Sequence, residues 1–290
     1  MRTSFDFSGL WIPLVTPFRD DAVDHVALAG LVKHCAAAGV RGFVACGSTG
    51  EAAALDKGEQ LAVLDTVLQA ADTLPVLMGI SGYHLGQTTA WVRELCARPI
   101  AGLLVPAPHY IRPSQVGLLQ WFSTLADAAS KPMVVYDIPY RTGATLSTET
   151  LLTLTSHPHI QAIKDCGGDA RKTQALITDG RLQVLAGEDA QIFSTLALGG
   201  VGAIAASAHL CTPQFVAMVA HLRAGQLAQA RGLWQALAPM VEAVFAEPNP
   251  ALIKAVLARQ GLIQDGLRLP MTEGSEKATQ HLSALLERLA

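Results

Sequence analysis

Short, nearly unbroken apolar runs bounded by glycine or proline recur along the chain at residues 10–16, 42–46, 76–80, 102–105, 133–137, 161–164, 183–186 and 202–205. Runs that lack polar alternation read as strands buried on both faces. Between them lie Ala- and Leu-rich segments with helical period, such as 25–38, 58–71, 88–97, 115–129 and 189–198, so strand and helix alternate. The connections are long enough for crossover helices, and eight such units predict an α/β fold of the (β/α)8 TIM-barrel type. A doubly wound sheet ranks second, because it rarely needs eight near-continuous apolar strands.

After Ala205 the pattern changes to helices alone, over 213–224, 226–246, 250–260 and 273–289, with breaks at Gly225, at the E-P-N-P turn and near Pro270. This divides the chain into a catalytic barrel over residues 1–212 and a C-terminal helical extension, residues 213–290, packed on it. No tandem repeat and no low-complexity linker interrupts either part.

At 290 residues, half of them hydrophobic, the chain can bury one large core. The formal charge of −3, from 21 basic and 24 acidic residues without long like-charge runs, gives no footprint for nucleic acid or an anionic membrane. A small-molecule partner is favoured. The five cysteines, Cys35, Cys46, Cys96, Cys166 and Cys211, are odd in number and form no C-x-x-C pair, which argues against a disulfide framework or a zinc knuckle. The first residues carry no apolar leader, and no stretch of ~18 apolar residues follows, so an unexported, cytoplasmic protein is expected.

In such barrels the side chains that do chemistry end the strands. The second strand runs into A-C-G-S-T-G-E (45–51), where Ser48 and Thr49 lie between glycines small enough to let backbone N–H groups approach an anion. That suits a carboxylate cradle and a proton-passing hydroxyl; a plain turn whose Ser or Thr caps the next helix fits it as well. It is not a P-loop, because no G-K-[ST] follows. The fifth strand ends V-V-Y-D-I-P-Y-R-T-G (134–143), placing the phenol of Tyr136 and the guanidinium of Arg141 near the barrel mouth. A tyrosine can pass protons and an arginine can grip a carboxylate bidentately. Taken singly, they also suit a core aromatic and a surface ion-pair partner.

The sixth strand, I-Q-A-I-K-D (160–165), closes on Lys164, and a lysine ending an apolar strand is costly unless it is used. Desolvation favours the neutral amine, which can attack a ketone to form an iminium that withdraws electrons from the adjacent carbon. A metal-free enzyme makes a carbon nucleophile from pyruvate in this way. The alternative is that Lys164 pairs with Asp165 or snorkels to solvent. Two later segments, L-A-G-E-D (185–189) and G-A-I-A-A-S (202–207), add close-approach glycines and backbone polar groups. H-P-H (157–159) flanks a strand start on the wrong face of a barrel, and no H-E-x-x-H occurs, so neither a metal nor another cofactor is expected.

In combination, P-L-V-T-P-F near the start, G-S-T-G-E, the Y-x-x-P from Tyr136 to Pro139 and I-K-D around Lys164 resemble the dihydrodipicolinate synthase/N-acetylneuraminate lyase family of class I pyruvate aldolases. The resemblance runs nearly end to end, through A-P-H-Y-I-R-P-S-Q (107–115), E-P-N-P (247–250) and R-L-P-M-T (268–272). It implies that Lys164 forms a Schiff base with pyruvate. It implies further that Tyr136, Ser48 and Tyr110 form a proton relay, Tyr110 reaching into a neighbouring subunit's site. Thr49 and the backbone at Gly187 and Ile204 would hold pyruvate. A homo-oligomer is implied, a tetramer built as a dimer of dimers.

Arg141, in R-T-G, sides with the synthase branch, where that arginine binds the carboxylate of aspartate semialdehyde; the sialic-acid lyases usually lack it. The implied reaction condenses pyruvate with L-aspartate 4-semialdehyde to 4-hydroxy-tetrahydrodipicolinate, a step of lysine and diaminopimelate biosynthesis. There are three departures from the synthase pattern. Ser48 stands where synthases mostly have Thr, Asp137 replaces a usual Asn, and Asp165-Cys166-Gly167 replaces a common Glu-Ala-Thr. G-S-T-G-E-A and Asp137 motivate a second enzymatic reading, a pyruvate aldolase acting on a sugar acid, such as N-acetylneuraminate or a 2-keto-3-deoxy acid, or on another aldehyde. A third reading is a catalytically silent barrel used for binding. Synthases of the family often bind lysine through an Asn, a Glu and a Tyr; aligned here, His84, Thr88 and His109 take those places, so lysine regulation is expected to be weak or absent.

Overall fold

The computed structural model describes residues 4–289. Its main strands are β1 (Gly9–Pro13), β2 (Gly42–Ala45), β3 (Val76–Gly79), β4 (Gly102–Pro106), β5 (Met133–Asp137), β6 (Ile160–Asp165), β7 (Gln183–Ala186) and β8 (Gly202–Ile204). They are hydrogen-bonded in the closed order β1-β8-β7-β6-β5-β4-β3-β2, a barrel of parallel strands with helices in the connections. A two-stranded hairpin, Phe18–Arg19 with Ala22–Val23, stands apart from it. The eight apolar runs thus correspond to the eight strands, and all are buried over most of their length.

Boundaries shift where side chains take over from the ladder. The first run was expected to continue to Thr16, but β1 ends at Pro13. Leu14 N–H still donates to the Val44 carbonyl at 3.0 Å. The next amide, Val15, donates to Nε2 of His209 at 3.3 Å, and the Thr16 hydroxyl donates to the Gly50 carbonyl at 2.7 Å. Two further connections, beyond the helical segments singled out from the sequence, contain helices, Thr148–Leu154 and Ala170–Asp179. Their buried residues mix Leu151, Leu154 and Leu176 with Thr150, Lys172 and Thr173, so few apolar side chains mark the inward face. Helix starts are fixed by side-chain caps: Asp24, Asp56 with Glu59 as a capping box, Ser114, Ser147 and Ser275.

Contacts cluster into two compact units. The first comprises Met1–Ser8 with Leu77–Ala203. Its strands β4 to β7 bury Leu103, Val105, Val134, Val135, Ile163 and Leu185. Glutamines at the starts of β6 and β7 take up the arriving chain: Gln161 Oε1 accepts from Phe5 N–H and Gln183 Oε1 from Phe7 N–H, both at 2.9 Å.

The second unit comprises Gly9–Val76 with Ile204–Ala290, and packs Trp11, Ile12, Phe43 and Val44. The C-terminal helices Thr212–Arg223, Leu227–Val244, Ala251–Arg259 and Glu276–Glu287 belong to it. His209 joins its two segments. Its Nδ1 donates to the Ala206 carbonyl at 2.8 Å while Nε2 accepts from Val15, a neutral tautomer with both nitrogens used. Burial pulls its pKa from 6.5 down to about 4. The unfolded chain therefore binds this proton more tightly than the folded one. The stability contribution is complete above pH 6.5 and is lost as the pH falls from 6.5 towards 4, by about 3 kcal/mol. Denaturant unfolding across that window is expected to show this loss, and His209→Gln to flatten the slope; an unchanged slope would mean that other groups carry it.

Candidate active site

Tyr136 on β5 and Lys164 on β6 are register partners, so their side chains leave one face of adjacent strands. Lys164 Nζ donates to the Tyr136 hydroxyl at 3.4 Å and lies 4.4 Å from the ring centroid; both residues are buried. Gly187, just after β7, is the third member. A Cβ there would sit 2.6 Å from Lys164 Cγ and 2.9 Å from its Cε, so only glycine leaves the lysine its course. The Gly187 N–H donates to the Asp165 carbonyl at 2.9 Å. Cys166 Sγ packs on the same glycine position, and burial pushes its thiol up to about 12, so it is a protonated packing group.

Strand alternation sends Asp137 and Asp165 the other way. Asp137 forms a buried ion pair with Lys172, whose Nζ also donates to the Leu146 carbonyl at 3.3 Å. Burial raises the Asp137 carboxyl and Lys172 opposes it. Asp165 accepts from the Thr173 hydroxyl at 2.5 Å and from Gly167 N–H at 2.9 Å. Asp165 is thus no partner of Lys164, and Asp137 offers no support for a sugar-acid acceptor, because it faces helix Ala170–Asp179.

Arg141 sits in the short helix Pro139–Thr142 that follows β5. Its side chain is exposed, and its guanidinium forms no ion pair among the described residues. Arg141 acts electrostatically on Glu188, whose carboxyl is raised by burial and by the adjacent Asp189, while Lys164, a hydrogen bond from Tyr140 and Arg141 oppose the rise. In L-A-G-E-D the sequence points to a close-approach glycine and backbone polar groups, and nothing local marks the Glu188 side chain.

In the second unit the G-S-T-G-E loop is bracketed by two residues with left-handed backbone, Cys46 at φ 51° and Glu51 at φ 53°. Such non-glycine positions are strained and need support. A Cβ on Gly50 would lie 2.8 Å from the Leu14 carbonyl, so the loop hugs the segment after β1. Support comes from the C-terminal helices. Lys254 Nζ reaches Glu51 Oε1 at 2.8 Å and the Thr16 carbonyl at 2.9 Å, and Arg268 N–H reaches Glu51 Oε2 at 3.4 Å. Asn249, in the E-P-N-P turn, donates to the Thr49 hydroxyl at 3.0 Å. Thr49 is buried, Ser48 is exposed, and neither caps a following helix: the short turn Ala52–Ala54 has no side-chain cap and the helix Lys57–Ala71 is capped by Asp56. Ile204 is buried in β8.

Tyr110 is 87% exposed and takes φ 74°. Nearby, Tyr83 and His109 meet edge-on at 5.3 Å. His157 bonds Asp127 at 3.0 Å and His159 bonds the Ala126 carbonyl at 3.0 Å. Among the described residues no group of three His, Cys, Asp or Glu is placed to hold a metal ion, and no helix is long and apolar enough to cross a membrane.

Residues 6–289 match the model of the dihydrodipicolinate synthetase family. The chain is 35% identical over 282 residues to 4-hydroxy-tetrahydrodipicolinate synthase 2 of Clostridium acetobutylicum, covering 96% of this chain and 99% of that protein. The crystal structure of dihydrodipicolinate synthase from Thermotoga maritima superposes with a TM-score of 0.95 at 28% identity, covering 98% of this chain and 99% of that one. The pyruvate complex of the chloride-inhibited dihydrodipicolinate synthase from Acinetobacter baumannii gives 0.94 at 30% identity, covering 97% and 98%. A buried lysine against a tyrosine at the ends of two adjacent barrel strands, matched from end to end by these proteins, leaves one assignment: the chain belongs to the dihydrodipicolinate synthetase family.

Proposed function

We propose that this protein condenses pyruvate with L-aspartate 4-semialdehyde to give 4-hydroxy-tetrahydrodipicolinate. Lys164 attacks the pyruvate ketone, and loss of water gives the iminium. A proton leaves the methyl carbon and the resulting enamine attacks the aldehyde, forming the carbon–carbon bond. The acceptor's own amine then displaces Lys164 from the iminium carbon, closing the ring and freeing the enzyme. Tyr136, 3.4 Å from Lys164 Nζ, moves protons to and from this nitrogen and the departing oxygen, with Ser48 and Tyr110 continuing the relay. Thr49 and the backbone at Gly187 and Ile204 hold the pyruvate.

The observation that carries the reading is the state of the buried lysines. Three are at most 5% exposed: Lys164, Lys172 and Lys254. Lys172 and Lys254 are ion-paired with Asp137 and Glu51, while Lys164 meets a phenol and forms no ion pair among the described residues, Glu188 acting on it only through its field. A buried amine held in place without a direct ion pair suits a nucleophile.

For the acceptor, the unpaired Arg141 favours a carboxylate-bearing aldehyde over a sugar. Arg141→Ala is expected to lower kcat/KM for aspartate semialdehyde by roughly 10- to 100-fold, the loss of a charge-assisted pair worth ~1.5–3 kcal/mol, while borohydride trapping of pyruvate stays intact. Assay against aspartate semialdehyde, N-acetylneuraminate and 2-keto-3-deoxy acids tests the acceptor directly; preference for a sugar acid, or equal damage to trapping, contradicts the reading.

The 87% exposed Tyr110 supports a homo-oligomer in which a neighbouring subunit receives it, a tetramer built as a dimer of dimers. The five cysteines are unpaired and buried, which suits work in the cytoplasm. Lysine is expected to inhibit weakly. His84 caps helix Leu85–Cys96 by accepting from Gln87 N–H at 3.1 Å, and the buried Thr88 donates to the His84 carbonyl at 3.1 Å. No carboxylate stands there for an ammonium group. Titrating activity with lysine at saturating pyruvate should give half-inhibition above about a millimolar, ~−4 kcal/mol of binding, and a lower value contradicts this.

A further inference from the structure

We propose that Asn249 is a positioning residue that fixes the direction of the Thr49 hydroxyl, so that its proton is presented to the pyruvate carboxylate. The proposal rests on the reading of Thr49 as a pyruvate ligand. Asn249 Nδ2 lies 3.0 Å from Thr49 Oγ1. An amide NH2 group only donates, so it fills a lone pair of the hydroxyl oxygen, and the hydroxyl's own proton must be given elsewhere. No bond in which Thr49 donates forms among the described residues, and its side chain is 3% exposed. A hydroxyl that already accepts a bond is the better donor, and a donor is what a carboxylate needs.

Asn249 has a second mark of use beyond packing. Its Oδ1 is buried without a hydrogen-bond partner. An unpaired buried carbonyl is unfavourable, and one retained in this way calls for a functional account. The turn that carries it is anchored on both sides. Glu247 accepts from Ser275 N–H at 2.9 Å, and the helix Ala251–Arg259 begins immediately beyond. Five residues on, Lys254 fixes Glu51 at the other end of the same loop. The E-P-N-P turn and the following helix therefore hold the G-S-T-G-E loop at two points, one setting its backbone and the other its hydroxyl.

The test measures the concentration of pyruvate that half-saturates borohydride trapping, together with pyruvate KM, kcat and Tm, for Asn249→Ala, Asn249→Asp, Thr49→Val and the double variant Thr49→Val/Asn249→Ala. Asn249→Ala should raise both pyruvate constants about five- to tenfold, the effect of one lost hydrogen bond, with kcat within about twofold. Asn249→Asp should raise them further, because a carboxylate accepts the Thr49 proton and sets a negative charge beside the substrate's own. In the Thr49→Val background, Asn249→Ala should add less than about twofold, a dependence that loss of packing would not produce. If Asn249→Ala does not fold, Asn249→Asp, closest in shape, carries the test alone against Thr49→Val. Normal pyruvate constants in Asn249→Asp, or full additivity in the double variant, overturn the proposal while leaving Thr49 as a ligand. Normal constants in Thr49→Val overturn both.

Discussion

Pyruvate and borohydride together should attach covalently to Lys164 and to no other lysine. Reduction fixes the iminium as a secondary amine, and peptide mass spectrometry locates it. The competing buried amines are already committed, Lys172 to Asp137 and Lys254 to Glu51, and each would have to leave a buried carboxylate unpaired to react. Lys164→Ala should abolish the adduct and lower kcat by a factor on the order of 10³ or more, as removal of a covalent nucleophile does. Lys164→Arg should fail equally, because a guanidinium keeps the charge but stays protonated. Tyr136→Phe should still form the adduct, with turnover lower by roughly 10²-fold, the share of one general acid–base group. An adduct elsewhere, or one that survives in Lys164→Ala, would overturn the mechanism.

Stability should respond most strongly at a pair outside the reacting groups. Lys254 is fully buried, and its ammonium bridges Glu51 and the Thr16 carbonyl while lying 4.3 Å from the Phe18 ring centroid. Burial pulls its pKa below the ordinary lysine value and Glu51 opposes that shift. Removing one partner strands the other charge in the interior, so Lys254→Met and Glu51→Gln should each cost about 3–5 kcal/mol. In a chain of this size that is a fall in Tm of roughly 10 °C. The double replacement should recover part of the loss, because it leaves no charge buried alone. Calorimetry decides it; a loss below about 1 kcal/mol in either single variant would mean that water or another group compensates. Because Glu51 also holds a left-handed backbone at the end of the G-S-T-G-E loop, pyruvate affinity should weaken in both variants.

The strands and most helices could be read from the chain because burial on two faces leaves an unbroken apolar run, and an amphipathic helix leaves a period. The fifth and sixth connections show the limits. Helix Thr148–Leu154 buries Thr150 and helix Ala170–Asp179 buries Lys172 and Thr173, so part of each inward face is polar in the sequence. After Gly202, the expected strand to Ala205 stops at Ile204, as Ala205 N–H turns to the Trp11 carbonyl.

For the site, the chain itself settled which residues end strands: Lys164 and Tyr136 had to face together once β5 and β6 were adjacent in register, because side chains alternate with period two. The same alternation, invisible without that register, decided that Asp137 and Asp165 face away and pair with Lys172 and Thr173 instead of Lys164. Lysines in apolar sequence look alike; only the tertiary structure separates Lys172 and Lys254, held by counter-charges 35 and 203 residues away along the chain, from Lys164. Asn249 passes for a turn residue in E-P-N-P until folding brings it to Thr49 across 200 residues. Periodicity is a local property and survives in the sequence, whereas a hydrogen bond or ion pair between distant residues is fixed only when the chain closes on itself.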